Sequence, residues 1–143
     1  MPTSPTSLVG ASALIVNSKD EYLLHLRDNI PGILNPGAWS LIGGHLEDLE
    51  GPDDTIAREL REEAGLEIQG MRRHAVVENR SLDDRSTGSV QVYLGFWNGN
   101  PEDLTLSEGI MLRFFDRGVT DRLLMAPWVK QVIDDHSATR VHV

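Results

Sequence analysis

The chain has 143 residues, 40% of them hydrophobic, which suits one globular domain built around a single core. Twenty-two acidic residues against 13 basic ones leave a net charge of −9, which argues against nucleic-acid polymers and anionic membranes as partners. A small phosphorylated ligand stays admissible, because a bound divalent cation reverses the local field. With no cysteine there can be no disulfide, zinc–thiolate centre or thiol nucleophile.

Residues 1–6 read as a loose start: Pro, Ser and Thr, without the basic and then apolar pattern of a signal peptide. No stretch reaches membrane-spanning length, so a cytoplasmic protein is the expectation. Leu8 to Val16 is small and apolar, Asn17 to Asp20 are turn formers, and Tyr22 to Leu26 is apolar again, which predicts a β-hairpin. Asp28 to Gly37 holds two prolines and two glycines and reads as an irregular loop, followed by a short strand over Trp39 to Ile42 and then Gly43 and Gly44. A helix starts near Pro52, with Asp53 and Asp54 at its positive dipole end, and stops at Gly65. Arg73 to Asn79 and Ser89 to Trp97 are strand-like and joined by a polar loop, so they should pair. Met111 to Phe115 reads as one more strand. Pro127 to His136 reads as a closing helix with Trp128, Val132 and Ile133 turned inward, and residues 137–143 as a loose end. Strands, helix, strands, helix predicts an α/β protein with a mixed sheet between helices, one domain over residues 1–143.

The stretch Gly44 to Leu66, GHLEDLEGPDDTIARELREEAGL, carries the chemistry. At about 100° per residue, Ile56, Leu60 and Ala64 form an apolar stripe, with Glu59, Glu62 and Glu63 together beside it. Three carboxylates at these spacings repel one another, by roughly a few tenths of a kcal/mol per pair. Taken alone they read more readily as a solvated helix face than as a site. A cation among them is the functional reading, and hard oxygen ligands without His or Cys suit Mg²⁺ or Mn²⁺. Glu50 precedes the helix and can fold back over the cluster, while Gly43 and Gly44 let backbone approach a ligand or metal closely.

The spacing of Gly44, Glu50, Arg58, Glu59, Leu60, Glu62, Glu63, Gly65 and Leu66 resembles the Nudix box at each of these defining positions. An N-terminal hairpin, a Trp before the double glycine, and the late Glu108-Gly109 followed by Arg113-Phe114-Phe115 extend the resemblance over most of the chain. It implies a Nudix-type α/β/α sandwich and attack of a metal-activated water on a nucleoside diphosphate derivative such as a nucleoside triphosphate, a nucleotide sugar or a related dinucleotide. By the same resemblance, Glu59, Glu62 and Glu63 are the Mg²⁺ ligands, with Glu50 as a supporting or water-mediated one and Gly44 as backbone close to the metal. Arg58 orients a helix carboxylate. Glu108 is the candidate general base outside the box, ahead of Glu78 and Glu102. One departure is local: many members have a glycine immediately before the first glutamate, whereas Leu49 stands here and Gly51 follows Glu50.

Outside the box, Arg27 is the candidate phosphate holder, the alternative being a surface pair with Asp28. Trp39 is a candidate base platform, although a core position is the commoner fate of such a residue, and Tyr93 is placed to reach a ligand cleft. Phe96, Phe114, Phe115 and Trp128 are assigned to the core. His45 reads as a solvent-facing loop residue, and His25, His74, His136 and His142 show no functional pattern. The leading function is a nucleotide diphosphatase with a small-molecule substrate; the sequence leaves the oligomeric state open, and a homodimer would be ordinary for this resemblance. The alternative is a non-catalytic nucleotide-binding sensor on the same fold. An isoprenoid-diphosphate isomerase would need an extra acid or thiol, and the chain has no cysteine.

Overall fold

The protein is represented by a computed structural model, which describes residues 7–140. Among the described residues the elements are β1 (Leu8–Val16), β2 (Tyr22–Leu26), β3 (Trp39–Ser40), β4 (Ile42–His45), α1 (Pro52–Ala64), β5 (Arg72–Glu78), β6 (Ser89–Phe96), β7 (Met111–Phe115), α2 (Arg117–Thr120) and α3 (Pro127–Arg140), with a 3₁₀ turn at Pro101–Asp103. Among the described residues the strands form one mixed seven-stranded sheet along the path β3-β2-β1-β6-β5, with β4 added to β1 and β7 to β2.

β1 is the centre of this sheet. It runs antiparallel to β2 and β4 and parallel to β6. Helices cover both of its faces, which is why its sequence is a continuous apolar run rather than an alternating one. The two faces carry separate cores. Leu14, Val16, Leu24, Val90, Val92 and Leu94 pack under α3 with Trp128, Val129, Val132 and Ile133. Ala11, Ala13, Ile15, Leu23 and Ile42 pack under α1 with Ile56, Leu60 and Ala64. The α/β/α layering follows directly from those two apolar stripes. Among the described residues no helix is long and apolar enough to cross a membrane.

The hairpin of β1 and β2 and the pairing of β5 with β6 match the reading of the sequence. The single strand expected over Trp39 to Ile42 is instead two. Trp39–Ser40 pairs with β2, the chain crosses at Leu41, and Ile42–His45 pairs with β1, which puts both Gly43 and Gly44 inside a strand. Phe96 is not core: it lies two residues beyond the last β5 pairing, Leu94 with Arg72, and is 58% exposed. α3 runs past the expected His136 because Ser137, Ala138 and Thr139 contain no breaker. Thr139 donates to the His136 carbonyl at 2.7 Å, and the buried His136 ring is held by the Tyr22 hydroxyl at 2.8 Å. The loose start over residues 1–6, positions 141–143 of the loose end, and His142 among them lie outside the described residues.

Candidate active site

α1 begins at Gly51, whose extended backbone precedes Pro52 and whose N–H donates to Asp54 Oδ2 at 3.2 Å. It ends at Gly65, left-handed at φ 66°, with its N–H on the Arg61 carbonyl. These ends set the rotation of the helix, so that Ile56, Leu60 and Ala64 face the sheet and the acidic side faces β4 and the 104–110 loop. Gly44 of β4 is the seat of Glu59. A Cβ at position 44 would fall 2.5 Å from the Glu59 carboxyl carbon, so only glycine leaves room for that carboxylate.

One guanidinium organises the acidic face. Arg58 Nε donates to Glu50 Oε2 at 2.7 Å and Nη2 to Glu50 Oε1 at 3.0 Å. Nη1 reaches Glu59 Oε1 at 2.8 Å and Glu62 Oε2 at 3.1 Å, and Nη2 also reaches the His45 carbonyl at 3.2 Å. The two bonds to Glu50 are a fork-to-carboxylate arrangement that a lysine could not reproduce. Glu50 also accepts the Glu47 N–H at 3.0 Å and the Thr55 hydroxyl at 2.8 Å. Hydrogen bonding by Arg58, reinforced by the Glu47 N–H, holds its carboxyl down at about 2. Glu50, a supporting metal ligand by resemblance, thus has both oxygens engaged by the chain itself, and its place in the structure is as the anchor of Arg58.

Glu63 lies in the opposite environment. It is 6% exposed, and its Oε2 is buried with no hydrogen-bond partner. Burial, then a hydrogen bond with the Glu108 carboxyl, then the negative charge of Glu59 push its carboxyl up to about 9. An orphaned carboxylate oxygen with two further carboxylates pressed against it is a donor set short of positive charge. Its all-oxygen chemistry fits Mg²⁺ or Mn²⁺. Glu62 stands at the edge, its side chain 57% exposed and turned to Arg58. Accordingly, among the described residues no three acidic or imidazole side chains are gathered as a ready-made cation cage.

Glu108 comes to Glu63 from the 104–110 loop. The Ser107 N–H donates to the Glu63 carbonyl at 3.1 Å, which ties the 104–110 loop to α1. Beside Glu108 a cavity of about 100 Å³ is lined by His25, Arg27, Asp28 and Gly109. A second cavity, of about 110 Å³, lies over β4 and is lined by Ser12, Leu34, Gly44, His45, Asn79 and Trp128. Arg27 borders both, its Nε donating to the Leu34 carbonyl at 2.8 Å rather than pairing with Asp28.

The chain matches the NUDIX domain family model over residues 6–134. The chain belongs to the NUDIX family. Among solved structures, its Nudix fold is similar to the MutT protein from Methanosarcina mazei Go1, at 21% identity and TM-score 0.75 over 99% of this chain and 100% of that one. The NUDIX domain of Shewanella oneidensis NrtR complexed with ADP ribose is similar at 19% identity and TM-score 0.74, covering 96% and 90%. A C. elegans Ap4A hydrolase is similar at 21% identity and TM-score 0.70, covering 91% and 96%.

The structure brings Arg58, Glu59, Glu62, Glu63 and Glu108 into one neighbourhood and leaves other candidates elsewhere. Glu78 is taken up by Arg80 at 2.6 Å, and Glu102 lies in the 3₁₀ turn. Trp39 packs edge-on against Phe115 at 4.7 Å between ring centroids, a core contact that turns it from the cavity over β4. Tyr93 faces α1 rather than that cavity, and its hydroxyl donates to Asp53, which also pairs with Arg73 at 3.1 Å. The period-two alternation of β6 explains this: Val90, Val92 and Leu94 face α3, so Tyr93 must face the other helix. Trp128 is core as expected, but one part of it lines the cavity over β4. Asn79 lines the same cavity and clamps the 80–88 loop, accepting the N–H groups of Thr87 at 2.9 Å and Gly88 at 3.0 Å. Neither residue has a sequence signal that separates lining a cavity from ordinary packing.

Proposed function

We propose that this Nudix protein is a Mg²⁺-dependent hydrolase, with Mn²⁺ as a substitute, that cleaves the diphosphate of a small nucleoside diphosphate derivative by attack of water. The observation that carries this reading is the buried, unpartnered Glu63 Oε2 with the carboxylates of Glu59 and Glu108 against it. In this reading Glu59, Glu62 and Glu63 are the side chains that would hold the cation. The cation supplies neutralisation of charge on the leaving diphosphate oxygen and acidification of the attacking water. Arg58, anchored by Glu50, keeps Glu59 oriented. Glu108 takes the proton of the attacking water, a role that suits a carboxylate at the mouth of the site. Arg27, between the two cavities, holds a phosphate while the nucleoside lies along Leu34 and Trp128. A homodimer is the assembly that the resemblance suggests, and analytical ultracentrifugation tests it; the cytoplasmic expectation rests on the sequence pattern alone.

The test is product identification by mass spectrometry after incubating wild type and Glu62→Gln with nucleoside triphosphates, nucleotide sugars, dinucleoside polyphosphates and ADP-ribose, with and without Mg²⁺. Loss of one substrate class only with wild type and Mg²⁺ supports the proposal, and the products name the bond. A panel that survives intact while one member still binds supports the sensor reading instead.

A further inference from the structure

His25 is a buried polar residue that the mechanism above leaves without a task. It is 5% exposed and is the fourth residue of β2, opposite Leu112 of β7 on one side and Ser40 of β3 on the other. Pairing on both sides fixes its backbone, and the strand's alternation sends its ring to the Leu23 face, where α1 and the acidic cluster lie. There its Nε2 lies 3.0 Å from the carbonyl oxygen of Glu108. A carbonyl only accepts, so Nε2 carries the hydrogen and donates it.

The chain around Glu108 is shaped to this ring. Gly109 has φ +83°, and a Cβ there would fall 1.9 Å from His25 Nε2, so both the conformation and the contact demand glycine. The neighbouring backbone is tied down as well: Ser107 N–H to the Glu63 carbonyl at 3.1 Å, Gly109 N–H to Asp28 Oδ2 at 3.3 Å, and Ile110 N–H to the Leu26 carbonyl at 2.8 Å. These acceptors hold the amides of residues 107, 109 and 110. The carbonyl of Glu108 has the imidazole, and its orientation sets the peptide from which the Glu108 side chain departs towards Glu63.

We infer that His25 is a positioning residue for Glu108, its imidazole N–H fixing the 108–109 peptide so that the Glu108 carboxyl stands against Glu63. The inference rests on the reading of Glu108 as part of the metal-site cluster. Loss of a residue bonded directly to a metal ligand typically changes metal affinity by about 10- to 100-fold, and His25, acting through Glu108 on Glu63, stands further out and should change it less.

Mn²⁺ alone, titrated into the full chain and followed by electron paramagnetic resonance, tests it without a substrate. Glu108→Gln should weaken Mn²⁺ binding by about tenfold, because it removes a negative charge beside Glu63, and His25→Leu should weaken it by several-fold. The double variant should bind as Glu108→Gln does, within about twofold, because the histidine acts only through the glutamate. His25→Gln, which can present an N–H at the position of Nε2, should bind within about twofold of wild type, and His25→Asn should not. The Gln and Asn pair decides the matter if the Leu variant does not fold. Weakening that adds to that of Glu108→Gln, or a His25→Gln variant as impaired as His25→Asn, overturns the inference. Unchanged Mn²⁺ binding in Glu108→Gln overturns the reading of Glu108 itself, and the inference with it.

Discussion

Arg58 and Glu50 meet as a planar fork on a carboxylate, Nε to Oε2 at 2.7 Å and Nη2 to Oε1 at 3.0 Å, eight residues apart and bridging the loop before α1 to its second turn. That bond leaves Nη1 for Glu59 and Glu62. Arg58→Lys keeps the charge and loses the fork. The expected result is a kcat lower by about 10- to 100-fold with KM changed by less than about threefold, read from steady-state kinetics at saturating Mg²⁺.

Glu63 gives the metal-free protein a pH dependence of defined sign. Its folded pKa, about 9, lies above the ordinary value of 4.5, so between those limits the folded state holds a proton that the unfolded state has released. The contribution is fully present below about 4.5 and is lost as pH rises towards 9. Thermal melts in chelator should therefore fall with pH across this window more steeply in wild type than in Glu63→Gln. Mg²⁺ should raise the wild-type Tm by an increment that grows with pH, since the cation takes the place of the proton.

Leu49 sits at φ +67° and is wholly exposed, directly before Glu50. The backbone there follows the left-handed path that glycine favours, while Gly51 is extended at φ −89° and needs no such freedom. Leu49→Gly relieves strain of about 1–2 kcal/mol against an unfolded-state entropy cost of about 0.5–1 kcal/mol. The expected gain is roughly 0.5 kcal/mol in denaturant unfolding, with the loop unchanged.

Arg27 and Tyr93 should separate cleanly. Arg27→Ala is expected to raise KM by about tenfold with little change in kcat, because it removes binding common to substrate and transition state. Tyr93→Phe removes a hydrogen bond to Asp53 on the other face of the sheet. It should leave both kinetic constants within about twofold and lower stability by roughly 1 kcal/mol.

Local chemistry in the sequence specifies much of this. Pro52 and Gly65 mark the ends of α1, and the stripe Ile56, Leu60, Ala64 gives its buried face. The spacing of the box places Arg58 and the glutamates near one another because helical geometry does so. What depends on long-range pairing is not legible in the same way. The parallel alignment of β1 with β6 and the antiparallel one of β2 with β7 join segments far apart in the chain, and they decide which face Tyr93 takes and that His25 meets Glu108. The burial of Glu63 beneath Glu108 also depends on the 104–110 loop folding back, and no pattern within α1 records it.

The most direct measurement is hydrolysis in ¹⁸O-labelled water, with the products weighed by mass spectrometry for wild type and Glu63→Gln in the presence of Mg²⁺. The account predicts one ¹⁸O per turnover in a phosphate-bearing product of the wild type, and none above background with Glu63→Gln or with chelator. Label entering at the same rate without Mg²⁺ or without the Glu63 carboxylate, or a bound nucleotide left uncleaved by the wild type, would contradict it.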